Sequence, residues 1–248
     1  MVKEKSFETG GEKQEKQDFK LTIVVHRHGE KASLAGGLSE RGKEETANYF
    51  SNAYQGVPLD LPEGQGVDVE HSPIDRTEQT ALLSAHYSGP KVDSIHIDER
   101  LSEGKVAHHK ELMDAWGGLG GRWIPNWMNL KERPASDVKT AEEVVKDFSQ
   151  WLLEKITARR QIGGTQEIDA FSHYPVMIAF LIKLEEQFSI KLLPEGWQKE
   201  KDSSKLVNFL ESFNFFIDSK NSKVVSFSFR GQKLEIPLSA IEHLAGAR

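Results

Sequence analysis

Residues 21–25, Leu-Thr-Ile-Val-Val, are a short β-branched run that breaks off at His26-Arg27-His28-Gly29. Such a run reads as a buried strand that delivers a turn at its end. The rest of the chain repeats this grammar. Residues 41–54 carry a helical pattern, 56–66 are Pro/Gly-rich loop, and 67–70 read as a second strand closing at His71-Ser72-Pro73. A helical stretch at 75–87, a strand by alternation at 92–97, a strand at 168–171 ending in Ser172-His173, and an apolar helix at about 176–184 follow. Strands alternating with helices predict an α/β fold, a three-layer α/β/α sandwich with a mainly parallel central sheet. Two features complete the pattern. Thr140 followed by Glu143 is a capping box that opens a helix with an apolar stripe through Val144, Val145, Phe148, Trp151, Leu152 and Ile156. Residues 213–217, 224–229 and 234–237 read as short antiparallel strands around a turn at 219–222.

A length of 248 residues fits one large domain. The first 18 residues are Lys/Glu/Gln-rich and lack the apolar core of a signal peptide, so the chain reads as a disordered charged leader, 1–18, and a single domain, 19–248. No apolar run approaches the roughly 20 residues of a spanning helix, which makes a cytoplasmic protein with no membrane partner the expectation. A net charge of -6 argues against a nucleic-acid partner. There are no cysteines, which removes disulfides and thiolate metal sites. Residues 104–134 interrupt the alternation with Trp116, Trp123 and Trp127 among Gly117, Gly118, Gly120 and Gly121. That stretch reads as a lid insertion, a satellite core or a partner surface.

The reactive side chains fall at three strand ends: Arg27-His28, Ser72 to Arg76, and Ser172-His173. Ligands of open α/β sheets bind at the carboxyl ends of strands, so one pocket is expected to hold two histidines and two arginines. Guanidinium forks match phosphoryl oxygens bidentately and keep their charge. A neutral imidazole beside them is a competent nucleophile at phosphorus.

The motif Val25-His26-Arg27-His28-Gly29-Glu30, followed by Leu38-Ser39-Glu40-Arg41-Gly42, resembles the signature of the histidine phosphatase superfamily, in its phosphoglycerate mutase-like branch. His71-Ser72-Pro73-Ile74-Asp75-Arg76-Thr77-Glu78-Gln79-Thr80-Ala81 resembles its second block, Leu101-Ser102-Glu103-Gly104 its proton-donor block, and Phe171-Ser172-His173 the block with the second histidine. The resemblance implies a phosphoglycerate mutase-like fold and a phosphatase that hydrolyses small phosphomonoesters, without metal or cofactor, through a phosphohistidine on His28. It also implies that Arg27, Arg76 and His173 clamp the phosphoryl oxygens and that Glu103 is the proton donor, with Glu99 near enough to compete. Tyr174 stands where the acid-phosphatase branch has an aspartate. The Lys105-to-Lys110 stretch departs from the mutases, which weakens the mutase-like phosphotransferase alternative. A non-catalytic phospholigand-binding protein is the remaining alternative.

Outside these blocks, Glu30, His108, Lys110 and Arg122 are candidates for reading the rest of the substrate, with ordinary surface positions the competing interpretation. His26 and His28 alternate along one strand as a metal-binding pair would, but no third ligand is apparent, so no metal is expected.

Overall fold

The computed structural model describes residues 17–32, 36–53, 66–87, 92–104, 123–197 and 206–247. Its elements are β1 (Phe19–Arg27), α1 (Glu40–Ala53), β2 (Val67–His71), α2 (Asp75–Tyr87), β3 (Val92–Ile97), a 3-10 turn (Glu99–Leu101) and α3 (Trp123–Met128). Then come α4 (Ala141–Ile162), β4 (Gly164–Ser172), α5 (Tyr174–Phe188), β5 (Ser212–Asp218), β6 (Val224–Phe229), β7 (Gln232–Pro237) and α6 (Leu238–Leu244).

The strands form one seven-stranded sheet in the order β3-β2-β4-β1-β5-β6-β7. The β3-β2, β2-β4 and β4-β1 pairings are parallel. The β1-β5, β5-β6 and β6-β7 pairings are antiparallel. The sheet is therefore mixed, with the predicted antiparallel strands forming one half of it rather than a separate layer. β4 runs from Gly164, well before the apolar residues at 168–171, because its parallel register with β1 pairs Phe19 with Gly164 and continues to Arg27 with Ser172. Pairing partners, not local hydrophobicity, set its length.

Period-2 alternation assigns the two faces. Leu21, Ile23 and Val25 of β1, with Ile168 and Ala170 of β4, join the principal core beneath α4, α5 and α6. Val67, Val69 and Phe171 face the other way and pack with Phe50 of α1 and Ala81 of α2. Helices on both faces make the three layers. The capping box at α4 is formed: Thr140 Oγ1 accepts from Glu143 N–H and the Glu143 carboxylate accepts from Thr140 N–H. The predicted stripe of α4 is buried, and Phe148 lies in a ring cluster with Trp151, Phe180, Phe213 and Phe215 at centroid distances of 5.3, 4.9, 6.0 and 6.3 Å. Of the tryptophan-rich stretch, Trp127 is fully buried in this core, and its indole N–H donates to Lys139 O. Trp116 lies outside the described residues. Asp18, the last residue assigned to the leader, is tied down: its carbonyl accepts from Gly164 N–H and its carboxylate from the Ser219 hydroxyl.

Phe148 and Thr140 separate core from cap. Phe148→Ala is expected to lose about 3–5 kcal/mol of stability through its cavity, and Thr140→Ala about 1 kcal/mol through an uncapped N–H. Urea denaturation of the two variants checks the ranking.

Candidate active site

The strand order explains why distant blocks meet. β4 lies between β2 and β1, so the carboxyl ends of all three are adjacent. His28 N–H donates to Ser172 O, and Ser72 N–H donates to Phe171 O. Each of the three strand-end segments is thereby pinned to β4 before any side chain is considered.

The His28 ring is fixed by its own chain: Nδ1 lies 2.6 Å from Gly29 O. A carbonyl only accepts, so Nδ1 carries the proton and Nε2 keeps its lone pair. Arg76 Nε donates to that Nε2 at 3.0 Å. The same guanidinium places Nη2 3.2 Å from His173 Nδ1, whose Nε2 meets the Ser72 hydroxyl at 2.7 Å. Ser72 is joined in turn to Thr77 Oγ1 at 2.8 Å, and Thr77 donates to Ile74 O at 2.6 Å. A consistent direction of donation follows: His173 Nε2–H to Ser72, Ser72 to Thr77, Thr77 to backbone. The rings of His28 and His173 stand 5.1 Å apart.

Both imidazoles are buried. Burial, with Arg76 and Arg27 behind it, holds His28 well below the ordinary value of 6.5. Burial, then Arg76 and His28, does the same for His173. Both are therefore neutral near pH 7. Arg76 itself is buried, and burial lowers its pKa. Glu103 is 1% exposed. Burial raises its carboxyl above the usual range, and the opposing field of Arg76 does not cancel that shift. Glu99 is exposed, so burial separates two glutamates that sequence leaves in competition. Arg27 lies under aromatic rings, its Cζ 4.0 Å from the Phe209 centroid and 4.9 Å from that of Tyr174, and it donates to Val207 O.

Residues without chemistry of their own shape the turn. Gly29 N–H donates to Thr80 Oγ1 at 3.1 Å, and Thr80 donates to Arg76 O at 2.6 Å. Gln79 Oε1 accepts from Leu38 N–H at 2.7 Å. A side chain on Gly42 would strike the backbone of Glu30, and one on Gly29 would strike Thr46. The first turn of α1 thus packs directly on the loop that carries His28.

The other predicted residues divide. The Glu30 carboxylate meets Ser39 and Arg41 at the start of α1. His108, Lys110 and Arg122 lie outside the described residues. His26 does not accompany His28: its ring stacks on Phe171 at 5.2 Å, meets Phe50 edge-on, and lies 3.7 Å from Asp169. The alternation along β1 ends at Arg27, so the two histidines have different surroundings. Among the described residues no group of three or more His, Asp or Glu side chains could hold a metal ion, and no helix is long and apolar enough to cross a membrane.

Lys31 is the residue that sequence reasoning missed. Burial, then Arg76 and Arg27, pushes its ammonium down to about 8, while Glu103 pulls the other way. It therefore belongs to the same charged cluster. A lysine three residues beyond His28 was a visible signal, but the direction of a long flexible side chain is not.

No family model matches the sequence, and no curated protein matches it. Solved structures do. Bacillus stearothermophilus YhfR superposes with a TM-score of 0.53 at 16% identity over 90% of this chain and 99% of that one. A phosphoglycerate mutase from Bacillus anthracis str. Sterne gives 0.51 at 15% identity over 93% and 98%. A mycobacterial glucosyl-3-phosphoglycerate phosphatase gives 0.50 at 14% identity over 79% and 90%. The chain has a phosphoglycerate mutase-like fold. A phosphatase and a mutase both stand among these structures, and at such identities the likeness shows the fold alone.

The charged cluster suits a dianion, because a phosphoryl group would offset two buried guanidinium groups and the half-buried Lys31. Lys31 makes this measurable. It is charged below pH 8 and neutral above, while inorganic phosphate stays a dianion there. Competitive inhibition by phosphate should weaken as pH rises through about 8, and Lys31→Arg should carry tight inhibition to higher pH.

Proposed function

We propose that the protein is a phosphatase that hydrolyses small phosphomonoesters through a phosphohistidine on His28. The observation that carries this reading is the fixed tautomer of His28. Its Nδ1 proton is committed to Gly29 O, leaving an unprotonated Nε2 directed at the Arg76 guanidinium.

In the first step the Nε2 lone pair attacks phosphorus, the bond to the leaving oxygen breaks, and that oxygen takes the proton of the buried Glu103 carboxylic acid. Arg27, Arg76 and Lys31 balance the charge of the three transferring oxygens, which is most of what phosphoryl transfer asks of a protein. His173 contributes through coupling. Burial and the nearby cations keep it neutral; the bound dianion offsets those cations, so Nδ1 takes up a proton from solvent and donates a hydrogen bond to a phosphoryl oxygen. In the second step water attacks the phosphohistidine, the Glu103 carboxylate takes its proton, and the N–P bond breaks to release inorganic phosphate and restore Nε2. The sum is monoester plus water to alcohol plus phosphate.

Glu103 fits the donor role because a carboxyl whose pKa is raised by burial is better placed to act as acid and then as base. A phosphotransferase would use the same residues with an organic acceptor in place of water. Release of free phosphate from several monoesters identifies hydrolysis.

Brief incubation of wild-type protein with a 32P-labelled monoester should leave acid-labile, base-stable label, and His28→Ala should abolish both label and turnover. Glu103→Gln should lower the rate of phosphohistidine formation from alkyl phosphates by about 10²–10⁴ and far less from 4-nitrophenyl phosphate, whose leaving group needs no proton. Unlabelled wild-type protein, with His28→Ala unchanged in turnover, would sink the proposal.

A further inference from the structure

We infer that the pocket takes phosphomonoesters whose leaving group carries an aromatic ring, with Phe209 as the residue that selects it. This rests on the phosphatase reading and adds a substrate class to it. The observation is the segment 206–211, which forms a wall beside the strand ends. Two backbone hydrogen bonds clip it to the last residue of β1: Arg27 N–H donates to Glu211 O at 3.0 Å, and Leu210 N–H donates to Arg27 O at 3.2 Å.

Between these clips Leu210 adopts a φ of 59°, in the left-handed region that a branched side chain ordinarily avoids. Leu210 itself is buried in the second core with Phe50 and Phe171. The turn therefore sends Leu210 inward and Phe209 to the pocket. The Phe209 ring lies 5.8 Å from that of His28 and 4.0 Å from Arg27 Cζ, yet the residue is 37% exposed. Strain of this kind persists where surrounding structure enforces it, and it gathers at functional sites.

Holding Arg27 does not by itself require that ring. The guanidinium already donates to Val207 O and packs against Tyr174, 4.9 Å away. Tyr174 in turn meets Trp123 edge-on at 5.7 Å. Phe209, Tyr174 and Trp123 so give the charged floor an aromatic rim. An aromatic leaving group would be met there by offset or edge-on rings.

Benzyl and cyclohexylmethyl phosphates test this, since their leaving groups have similar size and similar acidity. Wild-type protein should favour the benzyl ester in kcat/KM by about three- to tenfold, mostly through KM. Phe209→Leu, which keeps an apolar contact with Arg27, should bring the ratio to about one, as should Phe209→Ala, while Phe209→Trp should keep it. Benzylphosphonate and cyclohexylmethylphosphonate, which cannot be hydrolysed, should show the same ranking by calorimetry. A wild-type ratio near one overturns the inference. So does an equal loss on both esters in Phe209→Leu, which would make Phe209 only a positioning residue for Arg27. Should the phosphonates rank as expected while neither ester is turned over and His28 takes no label, the aromatic preference stands and hydrolysis falls.

Discussion

A buried guanidinium laid against two neutral imidazoles is an arrangement that a protein must be built to hold. Arg76 donates to His28 Nε2 and lies against His173 Nδ1, so removing it would take away a hydrogen-bond partner of both rings and the charge that helps keep them neutral. The imidazoles in turn occupy space that water would otherwise fill around the cation. Desolvation works in one direction on all of these groups: it lowers His28, His173, Lys31 and Arg76 and raises Glu103. The shared effect is a cluster with an excess of positive charge, one carboxyl pushed towards its protonated form and two unprotonated imidazole nitrogens. On the proposed reading an incoming phosphoryl group would be the anion that this set lacks, and its binding would be coupled to the protonation of His173.

That arrangement is held by residues with no chemical part to play. Thr80 links Gly29 to α2 and Thr77 closes the chain from His173 through Ser72 to the backbone. Gly42 lets α1 approach the Glu30 backbone so closely that any side chain would push the two apart. The motif residues around Arg76 are thus mostly a scaffold for two torsional states, the ring of His28 and the ring of His173. Pre-organisation of this sort moves the reorganisation cost from the reaction to folding.

The layers and the strand-end cluster were legible in the sequence because both follow from short-range pattern. β-branched runs end in polar residues, the apolar stripe of α4 has a cap at Thr140, and α2 was read with its observed bounds. What was not legible depends on distant partners. β4 begins at Gly164 because β1 offers hydrogen bonds there, although Thr165 to Glu167 carry no strand signal of their own. His26 and His28 look like one alternating pair until the strand ends between them and the chain turns. Phe209 sits in a stretch without periodicity, and only the left-handed turn at Leu210 and its clips to Arg27 aim it at the site. Lys31 was adjacent to the motif in sequence, but the burial that depresses its charge, and Arg76 of α2 that adds to it, come from the fold.

The two faces of the sheet carry different loads, and the site depends on the difference. Beneath α4, α5 and α6 the sheet is almost wholly apolar, with phenylalanines of β5 and β6 interlocked against α4 and α5. On the α1 and α2 face, His26 and Asp169 are buried 3.7 Å apart, and Glu167 is pushed up to about 7 by burial and by Asp169. Groups of this kind oppose folding unless other contacts outweigh them. The strand ends that carry His28, Ser72 and His173 belong to the strands that separate these faces. Rigidity reaches them from the apolar side, through β1 and β4, while the polar side supplies Arg76. A charged cluster that is itself costly to bury needs both: an apolar layer to set the strands, and a second layer in which a guanidinium can be enclosed beside them.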